Sequence, residues 1–254
     1  DNPHLDKAEY ELSLRELDPV TRAQLRRGDW QITTRGDILY MWDERYHVIT
    51  WSQFEKVFGS RHIPLHWKLG IFQDWGATPE HPCATGWFAT AAKNSPEISG
   101  IKTAGMVFHY RSLVVHTMTA RDVKRLIYQA MTPYNEMPRT DIWKMSHERL
   151  SERLEYWKQD SETDYALPFS NWQTGKTRGI EQLKNALTLK DLELPNLFTP
   201  EIYGHPSLFL IVDDEEYFNP KTDAGMVRFR QEAPAYKWAT PKSGEPPATL
   251  VPHA

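Results

Sequence analysis

A single cysteine, Cys83, stands among 254 residues. That excludes an internal disulfide framework and suits a reducing cytoplasm. No apolar run is long enough to cross a bilayer and no signal-peptide pattern is visible, so the sequence reads as a soluble chain without a membrane partner. Internal repeats and low-complexity tracts are also missing. A nucleotide-triphosphate loop is excluded: Gly175-Lys176-Thr177 has the ending of one, but Ser170 stands where its first glycine belongs and no apolar strand feeds it. Zinc-finger pairs are excluded too, since neither His62 with His66 nor His81 with Cys83 has a companion pair at the required spacing. No Ser-His-Asp or Cys-His order stands out either.

What is present is a large apolar complement. Hydrophobic residues make up 40% of the chain, with ten Trp, enough for one sizeable core with at most a small appendage. The net charge of −4 weighs mildly against a protein that grips a duplex by its phosphates, but carboxylates that hold metal ions can make a nuclease acidic. The charge is uneven: Arg111 to Lys190 leans basic, whereas Asp213 to Glu216 is a compact acidic run.

Two short helices are expected first. Asp6 with Glu9 makes a capping-box pattern before Leu12 and Leu14, and the second helix runs from Pro19 to a stop at Gly28. A strand-like stretch from Gln31 to Trp51 and a connector from Phe54 to Pro64 follow. The main pattern then begins. HWKLGIFQD ends at Asp74 in a Trp75-Gly76 turn, CATGWFATAA returns, and AGMVFHYRSLVVHTM is a long third strand rich in β-branched and aromatic residues. Thr119 caps a helix whose Val123, Leu126, Ile127 and Ala130 recur on one face. After it come the strand DIWKM, a helical SERLEYWKQ, a brief strand DYALPF, the helix TRGIEQLKNAL and the strand SLFLIVD. A last helix around Met226 to Glu232 precedes a Pro-rich tail from Pro241 to Pro252. This order is not doubly wound. It fits a mixed α/β sheet, an antiparallel three-strand meander followed by α/β crossovers and flanked by helices.

Asp74 is the sharpest candidate residue. A carboxylate at the end of an apolar strand projects from a rigid backbone, which suits a hard divalent cation; the same residue can equally cap its own turn. Glu148, just beyond DIWKM where a helix begins, is the second. If its strand lies beside the one ending at Asp74, the two carboxylates can hold one or two Mg²⁺ or Mn²⁺ ions; alternatively Glu148 serves only the helix macrodipole. His147 is a further contact candidate. Asp213 and Asp214 either hold metal or form a solvated acidic loop.

In their order these motifs resemble the C-terminal nuclease part of the large terminase subunit of tailed bacteriophages, nearly end to end. DNPHLD and LDPVTRAQLRRGDW look like the linker after that family's ATPase domain. LHWKLGIFQDWG is similar to its first catalytic strand, and MSHERLSER to the stretch holding its second acid. TRGIEQLKNAL, EAPAYKW and SGEPPATLVPHA resemble its closing segments. The resemblance implies an RNase H-like nuclease domain over 61–254, lacking its last helix, preceded over 1–60 by linker helices and a hairpin. It implies a DNA endonuclease that cuts concatemeric double-stranded DNA with Mg²⁺ or Mn²⁺, with Asp74 and Glu148 as catalytic metal ligands. Arg149, Lys176 and Arg178 would contact DNA phosphates. It further implies an ATPase domain earlier in the same polypeptide, portal and small terminase subunits as partners, and work in the host cytoplasm during virus assembly. The family has Asp where this chain has Glu148. Its third acid lies in a closing helix that would fall beyond Ala254, leaving Asp213 or Asp214 as stand-ins. A junction resolvase or transposase-like nuclease shares the same carboxylates, and a structural or adaptor protein would carry them incidentally.

Overall fold

A computed structural model describes residues 39–76, 78, 81–146, 150–159, 166–172, 176–214, 237–238 and 252–253. The chain divides into two compact units, Asp43–Arg230 and a second made of Asp1–Trp42 with Gln231–Ala254. In the second unit the described parts are a turn closed by Trp42 N–H donating to Leu39 O (2.9 Å) and an antiparallel pair, Lys237–Trp238 with Pro252–His253. The expected helices before Gly28 and around Met226 to Glu232 lie outside the described residues.

In the larger unit the chain begins with a short helix α1 (Glu44–His47), strand β1 (Val48–Thr50) and helix α2 (Trp51–Phe58). Thr50 starts α2 with a full capping box: its hydroxyl accepts from Gln53 N–H (3.2 Å) and Gln53 Oε1 accepts from Thr50 N–H (2.8 Å). Gly59 ends the helix at φ +76°, a left-handed turn that glycine takes without strain. The meander follows as β2 (Lys68–Asp74), β3 (Cys83–Thr90) and β6 (Val107–Val115), with a small ribbon, β4 (Glu97–Ile98) and β5 (Ile101–Lys102), between the last two. Helix α3 (Ala120–Met131) is capped by Thr119, whose hydroxyl accepts from Asp122 N–H (3.2 Å), and buries Val123 and Ile127. Two 3₁₀ turns lead to β7 (Thr140–Met145), α4 (Leu150–Trp157), β8 (Ser170–Asn171) and α5 (Lys176–Leu187). A hairpin of β9 (Lys190–Pro195) and β10 (Tyr203–His205) precedes β11 (Leu208–Val212).

Seven strands form one mixed sheet in the order β1-β11-β6-β3-β2-β7-β8. Within it β3 alone is antiparallel to its neighbours, β2 and β6; the other pairings are parallel. From β6 to β8 this is a third-second-first-fourth-fifth order, the expected meander followed by crossovers. One sheet face carries the aromatic core. Phe54 of α2 is fully buried against Trp67 and Phe108, which stack with centroids 5.2 Å apart. Truncating a ring so placed costs about 3–5 kcal/mol.

Two expectations change here. Residues 54–58 are core helix, not connector: Phe54 and Phe58 point inward from a well-capped turn, a pattern too short to read as periodic. The compact unit that holds the sheet is Asp43–Arg230, with β1 paired to β11 at the sheet edge. The brief strand placed at DYALPF falls one step later, at Ser170–Asn171, where Leu167 and Phe169 have already been buried.

Candidate active site

Asp74 closes β2 and faces solvent from the sheet side opposite the aromatic core, as Phe72 does; Leu69, Ile71 and Gln73 point the other way and are buried. Its backbone is held on both flanks. On one side Asp74 is in register with Ala84 of β3. On the other, the chain leaving β7 locks onto β2: Ser146 N–H donates to Gln73 O (3.1 Å), and Ser146 Oγ accepts from Trp75 N–H (3.3 Å). Gly76 then lies close against the backbone of His81. A Cβ there would sit 1.9 Å from His81 O, so no other residue fits the backbone as it stands.

Behind this strand end lies a buried polar cluster. Gln73 Nε2 donates to Thr85 Oγ1 (2.9 Å), while Gln73 Oε1 and the Tyr156 hydroxyl are buried without a hydrogen bond of good geometry. Burial pushes the Tyr156 hydroxyl far up, and the charge of Glu152 adds to that. Burial likewise raises the Cys83 thiol to about 12, with the Asp74 carboxylate contributing. Cys83 is therefore a protonated, inert thiol at neutral pH. The donors at this strand end are hard oxygens, which suit Mg²⁺ or Mn²⁺ rather than a thiolate-seeking metal.

Glu148, with His147 and Arg149, lies outside the described residues; Ser146, two positions earlier in the chain, is the residue bonded to both Gln73 and Trp75. Among the described residues no group of three or more His, Cys, Asp or Glu gathers as a metal site. Lys176 starts α5, and Arg178 is exposed on it. Asp213 and Asp214 are not brought to Asp74. They follow β11, which β6 and β3 separate from β2, a lateral distance of roughly 14 Å at ordinary strand spacing, too far to share a cation. Asp214 is also committed elsewhere: it accepts from Ser52 Oγ (2.7 Å) and Ser52 N–H (3.3 Å) and pairs with Arg61. Burial pushes its carboxyl up, but the Ser52 and Thr50 hydrogen bonds and the Arg61 charge outweigh this and hold it below the usual range.

Three residues near the strand ends escape sequence reasoning. Lys144 donates from Nζ to Ser170 Oγ (3.0 Å) and Asn171 O (3.2 Å), tying β7 to β8. Arg153 is nearly buried, donates to Asn171 Oδ1 and lies over the Trp157 ring. Glu152, in the first turn of α4, acts through its charge on the buried Tyr156 hydroxyl behind the β2 end.

No family model and no curated protein matches the chain. It is similar to the solved nuclease domain of the phage P22 large terminase at 14% identity and TM-score 0.43, covering 73% of this chain and 76% of that one. It is also similar to the nuclease domain of g2p, the large terminase of bacteriophage SPP1, solved with bound Mn. Identity there is 11% and TM-score 0.38, covering 70% of this chain and 74% of that one.

Proposed function

We propose that this chain is a divalent-metal-dependent DNA endonuclease of the large-terminase kind, cutting concatemeric double-stranded DNA during genome packaging. The observation that carries the reading is local. Asp74 projects into solvent at the end of a central strand, fixed between β3 and the chain leaving β7, and that chain reaches Glu148 two residues later.

Asp74 and Glu148 would hold Mg²⁺ or Mn²⁺, which in such a site activates water and stabilises the entering and leaving oxygens of phosphodiester hydrolysis. The chain's own part is to hold the donors still. Ser146 couples the β7 end to Gln73 and Trp75, the alternation of β2 turns Asp74 outward, and Gly76 lets the chain beyond it pass close to His81. Arg149, Lys176 and Arg178 would meet phosphates. In this reading an ATPase domain of the same polypeptide, a portal and a small terminase subunit complete the motor in the host cytoplasm.

The test is plasmid cleavage with Mn²⁺, comparing wild type with Asp74→Asn. Cleavage should fall by about two orders of magnitude, since removing a charged ligand forfeits binding and transition-state stabilisation together. Equal cleavage by both proteins removes Asp74 from the site. A wild-type protein that nicks no plasmid with any divalent metal favours a structural or adaptor role.

A further inference from the structure

We propose a second site: a groove on the opposite face of the sheet that binds a nucleotide, an aromatic base with its phosphate. The groove has a volume of about 1040 Å³ and runs between the Ser60–Leu65 segment and the Pro133–Arg139 segment, the size of an ordinary small-ligand pocket. Its floor includes Arg111, in register with Trp87 on the core face, whereas Asp74 pairs with Ala84 and points from the other face.

Two features of the groove call for a ligand of this chemistry. Tyr134 offers a stacking platform. It is 48% exposed, and the Arg111 guanidinium lies 4.8 Å from its ring centroid. Arg111 is itself immobilised, bonded to Glu136 through both terminal nitrogens (2.5 and 3.3 Å) and lying over the Trp87 and Tyr110 rings. A planar base needs a rigid aromatic surface of this kind.

Arg139 is the second feature. It lines the same groove half-buried, and its guanidinium donates to Pro64 O (2.9 Å). Its Nε is buried with no partner, and no carboxylate of the described residues pairs with it. A partly desolvated cation without a counter-charge is costly, and a phosphate supplies both the charge and the acceptors. The nearby acids do not compete, because Glu136 is occupied by Arg111 and Asp214 by Arg61. Asp213 lines the groove as well, but it follows β11 while Arg139 precedes β7, and three strands lie between those two. The phosphate therefore belongs at the Arg139 end.

The base and phosphate can come from a free nucleotide or from a single-stranded DNA end, and fluorescence anisotropy separates the two. The full chain is titrated, in EDTA, against labelled deoxyadenosine monophosphate and against a labelled short oligothymidylate. Saturable binding of the mononucleotide assigns the site to free nucleotide; binding of the oligonucleotide alone assigns it to a strand end. In either case Arg139→Gln, which keeps a donor for Pro64 but removes the charge, and Tyr134→Ala should each weaken binding by about tenfold or more. Tyr134→Phe should restore it, and Asp74→Asn should leave it unchanged, so the outcome is independent of the nuclease reading. No saturable binding of either probe, or equal binding by the Arg139→Gln and Tyr134→Ala proteins with unaltered circular dichroism, overturns the proposal.

Discussion

Two strands of one sheet end in acids at the same edge, and they are used differently. Asp214, after β11, is drawn back onto α2: Ser52 donates to it twice and Arg61 pairs with it, so this carboxylate fastens the start of a helix. Asp74, at the end of β2, is exposed, and its backbone neighbours Gln73 and Trp75 are the groups that Ser146 bonds. A strand-end acid that ties elements together serves stability. One that is exposed at the end of a strand whose backbone is held on both flanks is the position proposed for a metal ligand.

Substitutions that separate activity from stability sharpen this contrast. The largest effect should come from the pair Asp74→Asn and Asp214→Asn. The first should lose cleavage while keeping its thermal midpoint, and the second should keep cleavage; the reverse pattern, read from plasmid nicking and calorimetry, would exchange their roles. Gly76→Ala comes next. Its Cβ would meet His81 O at 1.9 Å, so the turn must open, at a cost of about 2 kcal/mol or more, and cleavage should fall along with the midpoint. Denaturant unfolding that leaves the midpoint unmoved would show that the turn tolerates a side chain.

His109 gives a pH test of the sheet between the two acids. Burial pushes its imidazole from 6.5 down to about 4, with a backbone hydrogen bond at Arg111 only partly opposing. The folded state therefore prefers the neutral ring. The stabilisation is complete above pH 6.5 and is lost as pH falls from 6.5 toward 4, at on the order of 1 kcal/mol per pH unit. His109→Gln should flatten that slope; an unchanged slope would assign it to other groups. The smallest effect is expected for Arg61→Ala, about 1 kcal/mol or less because the pair is partly exposed. The depressed Asp214 carboxyl contributes stability above pH 3.8 that is lost as pH falls further. If Asp214→Asn unfolds at the wild-type denaturant midpoint, Asp214, with its Ser52 and Arg61 partners, is not a fastening of α2.

Much of the sheet was legible because its signals are local. The β2-β3-β6 meander follows from alternating and β-branched runs, and α3 from the Thr119 cap with Val123 and Ile127. What could not be read depends on partners distant in sequence. Of the strand-like stretch read from Gln31 to Trp51, the described residues form a strand at Val48–Thr50, where they pair with Leu210–Val212, and Phe54 becomes core only because Phe108 and Trp67 meet it. The site divides in the same way. That Asp74 ends an apolar strand was visible from its place before Trp75-Gly76. The separation of Asp213 and Asp214 from it is a matter of strand order, which spacing along the chain does not encode.

The central claim is that positions 74 and 148 share one cation. It is tested most directly by counting free Mn²⁺ with electron paramagnetic resonance while titrating wild type, Asp74→Asn and Glu148→Gln. Both substitutions should weaken Mn²⁺ binding by about tenfold or more, and the double variant should be little worse than either alone. Wild-type affinity in both single variants, or fully additive losses in the double variant, would contradict a shared ion.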